Sequence, residues 1–252
     1  MPAIVLATLN AKYIHASLGL RYLMANMQRH GGAELAGITT LQEFTIQRPP
    51  QQIVDALLLA LGDSGVRVVG FGVYIWNVGE TTEVVRLLKA QCPQVKVVLG
   101  GPEVSHEWEP QARVPGSLVA LADHLITGWG DVSFPKLCRA LVQGPQPLMK
   151  VIAGEQPPLD AIALPYDQYS ATDLAQRVLY VEASRGCPFK CAFCLSALDK
   201  TAWAFDLEPF LAALADLYDR GARNFKFVDR TFNLKLETSL RILQFFLERL
   251  QA

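Results

Sequence analysis

The chain has 252 residues, of which 51% are hydrophobic, so it can bury the core of one or two domains. Its formal net charge is -1 and it has no run of Lys and Arg, so nucleic-acid binding is not supported. Because it lacks a basic signal region and its apolar runs are far shorter than a membrane span, we expect a cytoplasmic protein with no membrane partner.

The first 142 residues alternate short apolar runs with helix-like stretches. The apolar runs are nearly continuous in Val, Ile and Leu, which is typical of parallel strands covered by helices on both faces. Five strands are predicted, at residues 3–8, 35–40, 66–75, 95–99 and 124–127. Helices are predicted at residues 18–27, 51–61, 81–90 and 132–141. Residues 1–142 are therefore predicted to form a doubly wound, flavodoxin-like (Rossmann-like) α/β domain.

The loops that follow four of these strands contain the candidate cofactor-binding residues, because ligands of open α/β sheets bind beyond the carboxyl ends of the strands. These residues are Asn10, Tyr13 and His15, then Tyr74 and Trp76, then Gly100, Gly101, Pro102 and Glu103, and finally Gly128 and Gly130. Paired glycines let a ligand approach the backbone closely, but they also simply end strands. A flavin or phosphoacceptor role is disfavoured, because the first strand has neither an acidic cluster nor a phosphate loop.

Residues 143–177 are rich in proline and glycine and only weakly periodic, so they are predicted to be a linker. The strand and helix pattern then restarts. Strands are predicted at residues 178–183 and 224–229, and helices at 208–220 and 237–250. Residues 178–252 are therefore predicted to contain the first two βα units of a parallel, barrel-like domain.

Three cysteines, Cys187, Cys191 and Cys194, lie on the loop after the first of these strands with the spacing CxxxCxxC. Thiolates are the usual ligands of iron-sulfur clusters, and three of them leave one iron of a cubane open. Zinc is the alternative, but it normally takes four protein ligands, and only His106 and His124 of the other predicted domain could complete the set. A disulfide framework is disfavoured by the odd count of five cysteines.

The cysteine loop and its flanks, with the aromatic Phe193 before the last cysteine, resemble the radical S-adenosylmethionine (radical SAM) superfamily. The Gly-Gly-Pro-Glu loop from Gly100 and the Gly-x-Gly-Asp turn from Gly128, both ahead of a CxxxCxxC barrel, resemble the cobalamin-binding radical SAM subfamily. This resemblance covers essentially the whole chain. Stretches beginning at Tyr13, Glu182 and Phe227 are particularly similar to a group in that subfamily whose substrates are not established.

The resemblance implies a 4Fe-4S cluster on the three cysteines, with S-adenosylmethionine on the fourth iron. An electron from a donor such as a flavodoxin or ferredoxin would cleave S-adenosylmethionine to a 5'-deoxyadenosyl radical, which abstracts a hydrogen from an unknown substrate. In the cobalamin branch, the substrate radical typically takes a methyl group from methylcobalamin, so methylation of an unactivated carbon is implied. Phe193 is expected to border the adenine. Asp229, at a strand end, is expected to contact the S-adenosylmethionine amino group or else to cap the next turn.

The best-known cobalamin domains supply a histidine to cobalt from a DxHxxG motif. Here His15 is followed by Gly19, and no aspartate stands two residues before it. His15 therefore either faces the corrin or the cobalt, or caps the helix predicted from residue 18. Tyr74 and Trp76 either pack against a corrin face or fill a domain interface.

Only 75 residues follow Arg177, whereas six βα units need about 180. We therefore expect the N-terminal part of a longer enzyme, which turns over poorly by itself. Two other functions stay open. One is a radical SAM enzyme whose first domain is a docking module without cobalamin. The other is a binding module that senses cobalamin or redox state without turnover.

Overall fold

The structure is a computed structural model that describes residues 3–63, 65–106, 108–197 and 201–250. These residues form two compact units, of which the first ends at Pro157 and the second begins at Pro158. No helix in the described ranges is both long and apolar enough to cross a membrane.

The first unit is built on one parallel sheet. Its strands are β1 (Ile4–Asn10), β2 (Thr39–Thr45), β3 (Val68–Gly72), β4 (Lys96–Gly100), β5 (His124–Thr127) and β6 (Val151–Ala153). Their order across the sheet is β2-β1-β3-β4-β5-β6, and every pair is parallel. The order reverses between β1 and β3, as in flavodoxin-like folds. The predicted fold class is confirmed.

Helices cover both faces of this sheet. They are α1 (Leu18–Asn26), a π-helical turn (Met27–Gly31), α2 (Gly32–Gly37), α3 (Pro50–Ala60), α4 (Val78–Gln91), α5 (Pro102–Ser105), α6 (Trp108–Ala112), α7 (Leu118–Leu121) and α8 (Ser133–Gln143). Side chains of β1 alternate between the two resulting cores, because successive side chains of a strand point to opposite faces. Val5 and Leu9 pack in the core that includes α3 and α4, whereas Ile4 and Leu6 pack in the core that includes α1 and α8.

The strand predicted at residues 35–40 is wrong in its first half. The structure has α2 over Gly32–Gly37, and β2 begins only at Thr39. Leu35 is buried from within this helix, and the Thr39 hydroxyl donates to its carbonyl oxygen at 2.7 Å. Because Leu35 of the helix and the start of the strand form one continuous run in the sequence, the apolar pattern does not separate the short helix from the strand.

The stretch predicted to be a linker, residues 143–177, contains regular structure. Strand β6 pairs with β5, and the Gly154 N–H donates to the Thr127 carbonyl at 2.7 Å. Further along are two 3-10 turns, Leu159–Ala161 and Tyr166–Gln168, and α9 (Ala171–Gln176). Elements of three to six residues are too short to produce a periodic pattern in the sequence, so the sequence does not predict them.

The second unit contains the two predicted βα units, which are confirmed. Strands β7 (Leu179–Val181) and β10 (Phe225–Phe227) pair in parallel, α10 (Leu207–Asp219) lies between them in sequence, and α11 (Leu236–Leu250) follows. Strands β8 (Ser184–Gly186) and β9 (Ala202–Ala204), which were not predicted, pair in the antiparallel direction. A 3-10 turn, Leu195–Ala197, lies between them in sequence. The β8 and β9 pair therefore holds together the two ends of the segment that contains the cysteines.

Substitution of Gly154 tests whether β6 belongs to the sheet. A Cβ at Gly154 would overlap the backbone of Trp129, so we expect Gly154→Ala to lower the free energy of unfolding by about 1–3 kcal/mol. Gly79 is the matched control. It lies in α4 with open space around it, so Gly79→Ala should raise the free energy of unfolding by up to about 1 kcal/mol. Urea denaturation of both variants measures the difference, and equal effects would contradict the β6 assignment.

Candidate functional site

The carboxyl ends of β1 and β3 lie side by side, with Thr8 paired to Gly72. The predicted cofactor-binding residues follow β1, β3, β4 and β5, and parallel pairing brings the ends of these four strands to one edge of the sheet. We call this edge, with the loops that leave it, the carboxyl edge. It is the candidate cofactor site, because strand order reverses there.

A buried ion pair anchors the first loop of the carboxyl edge. Glu43 of β2 contacts Arg21 of α1 at 2.8 Å, and the two side chains are only 5% and 3% exposed. The other carboxylate oxygen of Glu43 accepts the Asn10 amide at 3.0 Å and the Ser17 backbone N–H at 2.6 Å. Arg21 also donates to the Ser17 carbonyl at 2.9 Å. The loop is therefore held at both of its ends.

The Glu43 network assigns structural contacts at two predicted cofactor-site positions, Asn10 and the loop of His15. Asn10 is predicted to bind a cofactor, but it is buried and its amide donates to Glu43, so it anchors the loop. Helix α1 is capped by Ser17, whose hydroxyl oxygen accepts the Leu20 N–H at 3.3 Å, so the helix cap suggested for His15 is provided by Ser17. His15 itself is half-buried in the loop.

Asn77, which is not among the predicted site residues, fixes the turn after β3. Its amide nitrogen donates to the carbonyl oxygens of Leu9 at 3.0 Å and Gly72 at 3.2 Å. Its amide oxygen accepts the Tyr74 N–H at 2.8 Å. The buried amide thus joins the ends of β1 and β3 and sets the direction of the turn that contains Trp76.

Four large apolar side chains are exposed at the carboxyl edge, and we call them the apolar patch. Tyr13 and Ile14 follow β1, Ile75 and Trp76 follow β3, and they are 45% to 77% exposed. The Trp76 ring stacks on Tyr74, with ring centroids 4.6 Å apart and planes 9° apart. Grouped exposed apolar side chains mark a binding surface, and stacked rings offer a flat one.

Ser105 joins the loops after β4 and β5. Its hydroxyl donates to the Gly101 carbonyl at 2.7 Å and accepts the Gly128 N–H at 3.0 Å. Gly101 has a φ of +111°, and a Cβ there would overlap the backbone of Val73. The segment after β4 therefore passes so close to the backbone at Val73, after β3, that position 101 requires a glycine, whether or not a ligand is bound.

The remaining predicted residues of this edge lie at the same loops. Gly100 ends β4, while Pro102 and Glu103 form the first turn of α5. Gly130 faces Leu23 of α1, because a Cβ at Gly130 would lie 3.0 Å from that side chain. These residues therefore contribute to the path of the backbone at the carboxyl edge.

In the second unit, the three predicted cluster cysteines lie between β8 and β9 in sequence, and none of them is part of a disulfide. Cys191 is exposed, whereas Cys187 and Cys194 are half-buried. The Cys187 N–H donates to the Thr201 carbonyl at 3.0 Å. Among the described residues, no group of three or more His, Cys, Asp or Glu is arranged to hold a metal ion. The three thiols lie on one loop.

The turn after β10 contacts the start of this loop. The Asp229 carboxylate accepts the Ala183 N–H at 3.1 Å and the Ser184 hydroxyl at 2.6 Å. Burial raises the pKa of Asp229, and the hydrogen bond from Ser184 opposes this rise. Two residues later, the Thr231 hydroxyl lies 3.3 Å from the Cys187 sulfur. Phe193 is 93% exposed, so its ring is accessible.

Residues 4–138 match the family described as "B12 binding domain". The chain is 28% identical to "Uncharacterized methyltransferase PH0819" of Pyrococcus horikoshii, over 82% of this chain and 52% of that protein. It is 31% identical to "2-(S-pantetheinyl)-carbapenam-3-carboxylate methyltransferase" of Streptantibioticus cattleyicolor, over 60% of this chain and 25% of that protein. The chain thus spans about half the length of the first relative and about a quarter of the second.

Solved structures of the cobalamin-dependent S-adenosylmethionine radical enzyme OxsB have a similar fold. The form with aqua-cobalamin and S-adenosylmethionine bound superposes with a TM-score of 0.70 at 17% identity, over 92% of this chain and 34% of that chain. The form with aqua-cobalamin alone gives a TM-score of 0.70 at 16% identity, with the same coverage. At this identity the likeness shows the fold alone.

The anchoring role of Glu43 can be tested by Glu43→Gln. The substitution leaves Arg21 buried without its charge partner, so we expect the free energy of unfolding to fall by about 3 kcal/mol. Glu83→Gln is the control, because Glu83 pairs with Arg86 on an exposed helix surface and its loss should change stability little. Chemical denaturation compares the two variants. A Glu43 variant as stable as the Glu83 variant would refute the anchor.

Proposed function

Because the chain belongs to the B12-binding domain family, we propose that it binds cobalamin and acts within a radical SAM enzyme that transfers a methyl group to an unactivated carbon. The observation that carries this proposal is the combination, in one chain, of a B12-binding domain and a loop with three cysteines spaced CxxxCxxC. The names of the relatives, two methyltransferases and a cobalamin-dependent radical enzyme, support it.

The carboxyl edge suits cobalamin by the chemistry of its exposed side chains. A corrin is large and flat, and the apolar patch offers exposed rings and aliphatic side chains on two neighbouring loops. The networks of Glu43 and Asn77 fix these loops before any ligand arrives. A surface that is already ordered loses less entropy on binding, so such anchors favour affinity.

The cysteine loop fits an iron-sulfur cluster in its donor chemistry. Cys187, Cys191 and Cys194 form no disulfide, none of them is fully buried, and three thiolates suffice when one iron is left for another ligand.

When bound, the cluster supplies the electron that cleaves S-adenosylmethionine, and cobalamin supplies the methyl group. The residues of this chain bind and orient. We propose that the exposed ring of Phe193 borders the adenine. Asp229 holds Ala183 and Ser184 ahead of the cysteines, and its proposed contact with the amino group of S-adenosylmethionine would add to these bonds. A donor of the flavodoxin or ferredoxin class would provide the electron.

The first test is an anaerobic absorbance spectrum of the chain, produced with cobalamin and then desalted, together with iron, sulfide and zinc counts. We expect corrin bands and about four irons per chain. Cys187→Ala, Cys191→Ala and Cys194→Ala should each lose the iron, whereas Cys92→Ala, which removes a free thiol of the first unit, should keep it.

The outcomes separate the alternatives. Iron without corrin would favour a radical SAM enzyme with a docking domain, and corrin without iron would favour a cobalamin-binding or sensing module. Zinc in place of both would refute the proposal. Because the chain spans about half the length of its PH0819 relative, this test measures cofactors and does not depend on turnover.

The apolar patch is tested by Trp76→Ala. Loss of this exposed ring removes apolar contact area, so we expect cobalamin affinity to fall about tenfold. Leu59→Ala is the control, because Leu59 is a large apolar residue even more exposed than the patch residues but lies on α3. Equilibrium dialysis with cobalamin measures both variants. Equal affinities for the two variants would place the corrin away from this patch.

A further inference from the structure

We propose that the hydroxyl of Thr231 donates a hydrogen bond to the sulfur of Cys187 when this cysteine ligates the cluster, and that this bond raises the reduction potential of the cluster. The two atoms lie 3.3 Å apart in the structure, although the residues are 44 positions apart in sequence. The inference rests on the proposed function, since it requires a cluster on Cys187.

Parallel pairing of β7 and β10 creates this contact. Phe227 pairs with Val181, and the Val228 N–H donates to the Val181 carbonyl at 2.9 Å. The segments that leave the two strands therefore run alongside each other. This places the turn after β10, which contains Thr231, beside the start of the cysteine loop.

Both partners of the contact are fixed by their backbones. The carbonyl of Thr231 accepts the Leu234 N–H at 3.0 Å, which closes the turn. The hydroxyl of Ser239, buried on α11, donates to the Phe232 carbonyl at 2.9 Å and ties the turn to the helix. On the other side, the Cys187 N–H donates to the carbonyl of Thr201. The Thr231 hydroxyl is thus held near the Cys187 sulfur by contacts that do not involve a metal.

The direction of the hydrogen bond follows from the chemistry of the ligand. In the free protein either group can donate, because the thiol and the hydroxyl both carry a hydrogen. A cysteine that ligates iron is a thiolate without a hydrogen, so across this pair only Thr231 can donate. Both residues are half-buried, and partial exclusion of water strengthens such a bond.

This hydrogen bond should favour the reduced cluster. Reduction adds negative charge to the iron and sulfur atoms, and a donor aimed at a ligand sulfur stabilises that charge. Hydrogen bonds to the sulfurs are one of the means by which a protein sets the potential of its cluster. Thr231 would therefore be a positioning residue that makes the cluster easier to reduce.

The experiment compares Thr231→Val, which keeps the shape and removes the hydroxyl, with Thr231→Ser, which keeps the hydroxyl. Thr231→Ala is a second variant without a hydroxyl, measured alongside in case the valine disturbs the turn. Thr238→Val is the matched control, because Thr238 is also half-buried but lies on α11. Each protein is reconstituted with iron and sulfide, and its midpoint potential is measured by a redox titration followed by electron paramagnetic resonance.

We expect the Val and Ala variants to keep the cluster and to disfavour its reduction about tenfold, which equals about 59 mV more negative for one electron. The Ser variant and the Thr238 control should match the unsubstituted protein. Unchanged potentials in Val and Ala, or an equal shift in Ser, would overturn the inference while the cluster itself stands. Failure of the unsubstituted chain to take up iron would overturn the cluster proposal and this inference together.

Discussion

Parallel strand pairing is the constraint on which both candidate sites depend. When two parallel strands are in register, the segments that leave their carboxyl ends begin at the same edge of the sheet. In the first unit this brings together the loops after β1, β3, β4 and β5, where we propose that cobalamin binds. In the second unit the pairing of β7 and β10 places the turn at Asp229 and Thr231 beside the cysteine loop.

Buried or half-buried polar side chains convert these strand ends into defined surfaces. Glu43, Asn77, Ser105 and Asp229 each accept or donate hydrogen bonds to at least two other segments or residues. A buried polar group is costly unless it is satisfied, so each of these contacts commits the loop to one conformation. In the first unit, these polar contacts hold the loops that expose the apolar patch.

The two candidate sites offer different chemistry. The apolar patch exposes aromatic and aliphatic side chains on loops that the Glu43 and Asn77 hydrogen bonds hold. The cysteine loop offers three thiols and a backbone anchor at Cys187, whose N–H donates to the Thr201 carbonyl. Apolar and aromatic surface suits a corrin, whereas thiolates suit an iron-sulfur cluster.

The sequence by itself determined the class of the fold and supplied the pattern from which we propose the chemistry of the cysteine loop. Runs such as Ile4–Asn10, apolar on both faces, are satisfied between two layers of helices, and three thiols on one loop can be proposed as metal ligands without tertiary information. The tertiary structure alone decided that α2 precedes β2, that β6 extends the sheet, and that Asn10 anchors a loop through Glu43.

The tertiary structure also revealed Asn77, Ser105 and Thr231, none of which stands out in the sequence. The physical reason is the separation between contacting residues along the chain. Apolar periodicity and thiol spacing are local patterns that a short window contains, whereas these polar contacts join residues up to 69 positions apart. Such pairs come into being only when strands that are distant in sequence align their ends, so no local pattern could have indicated them.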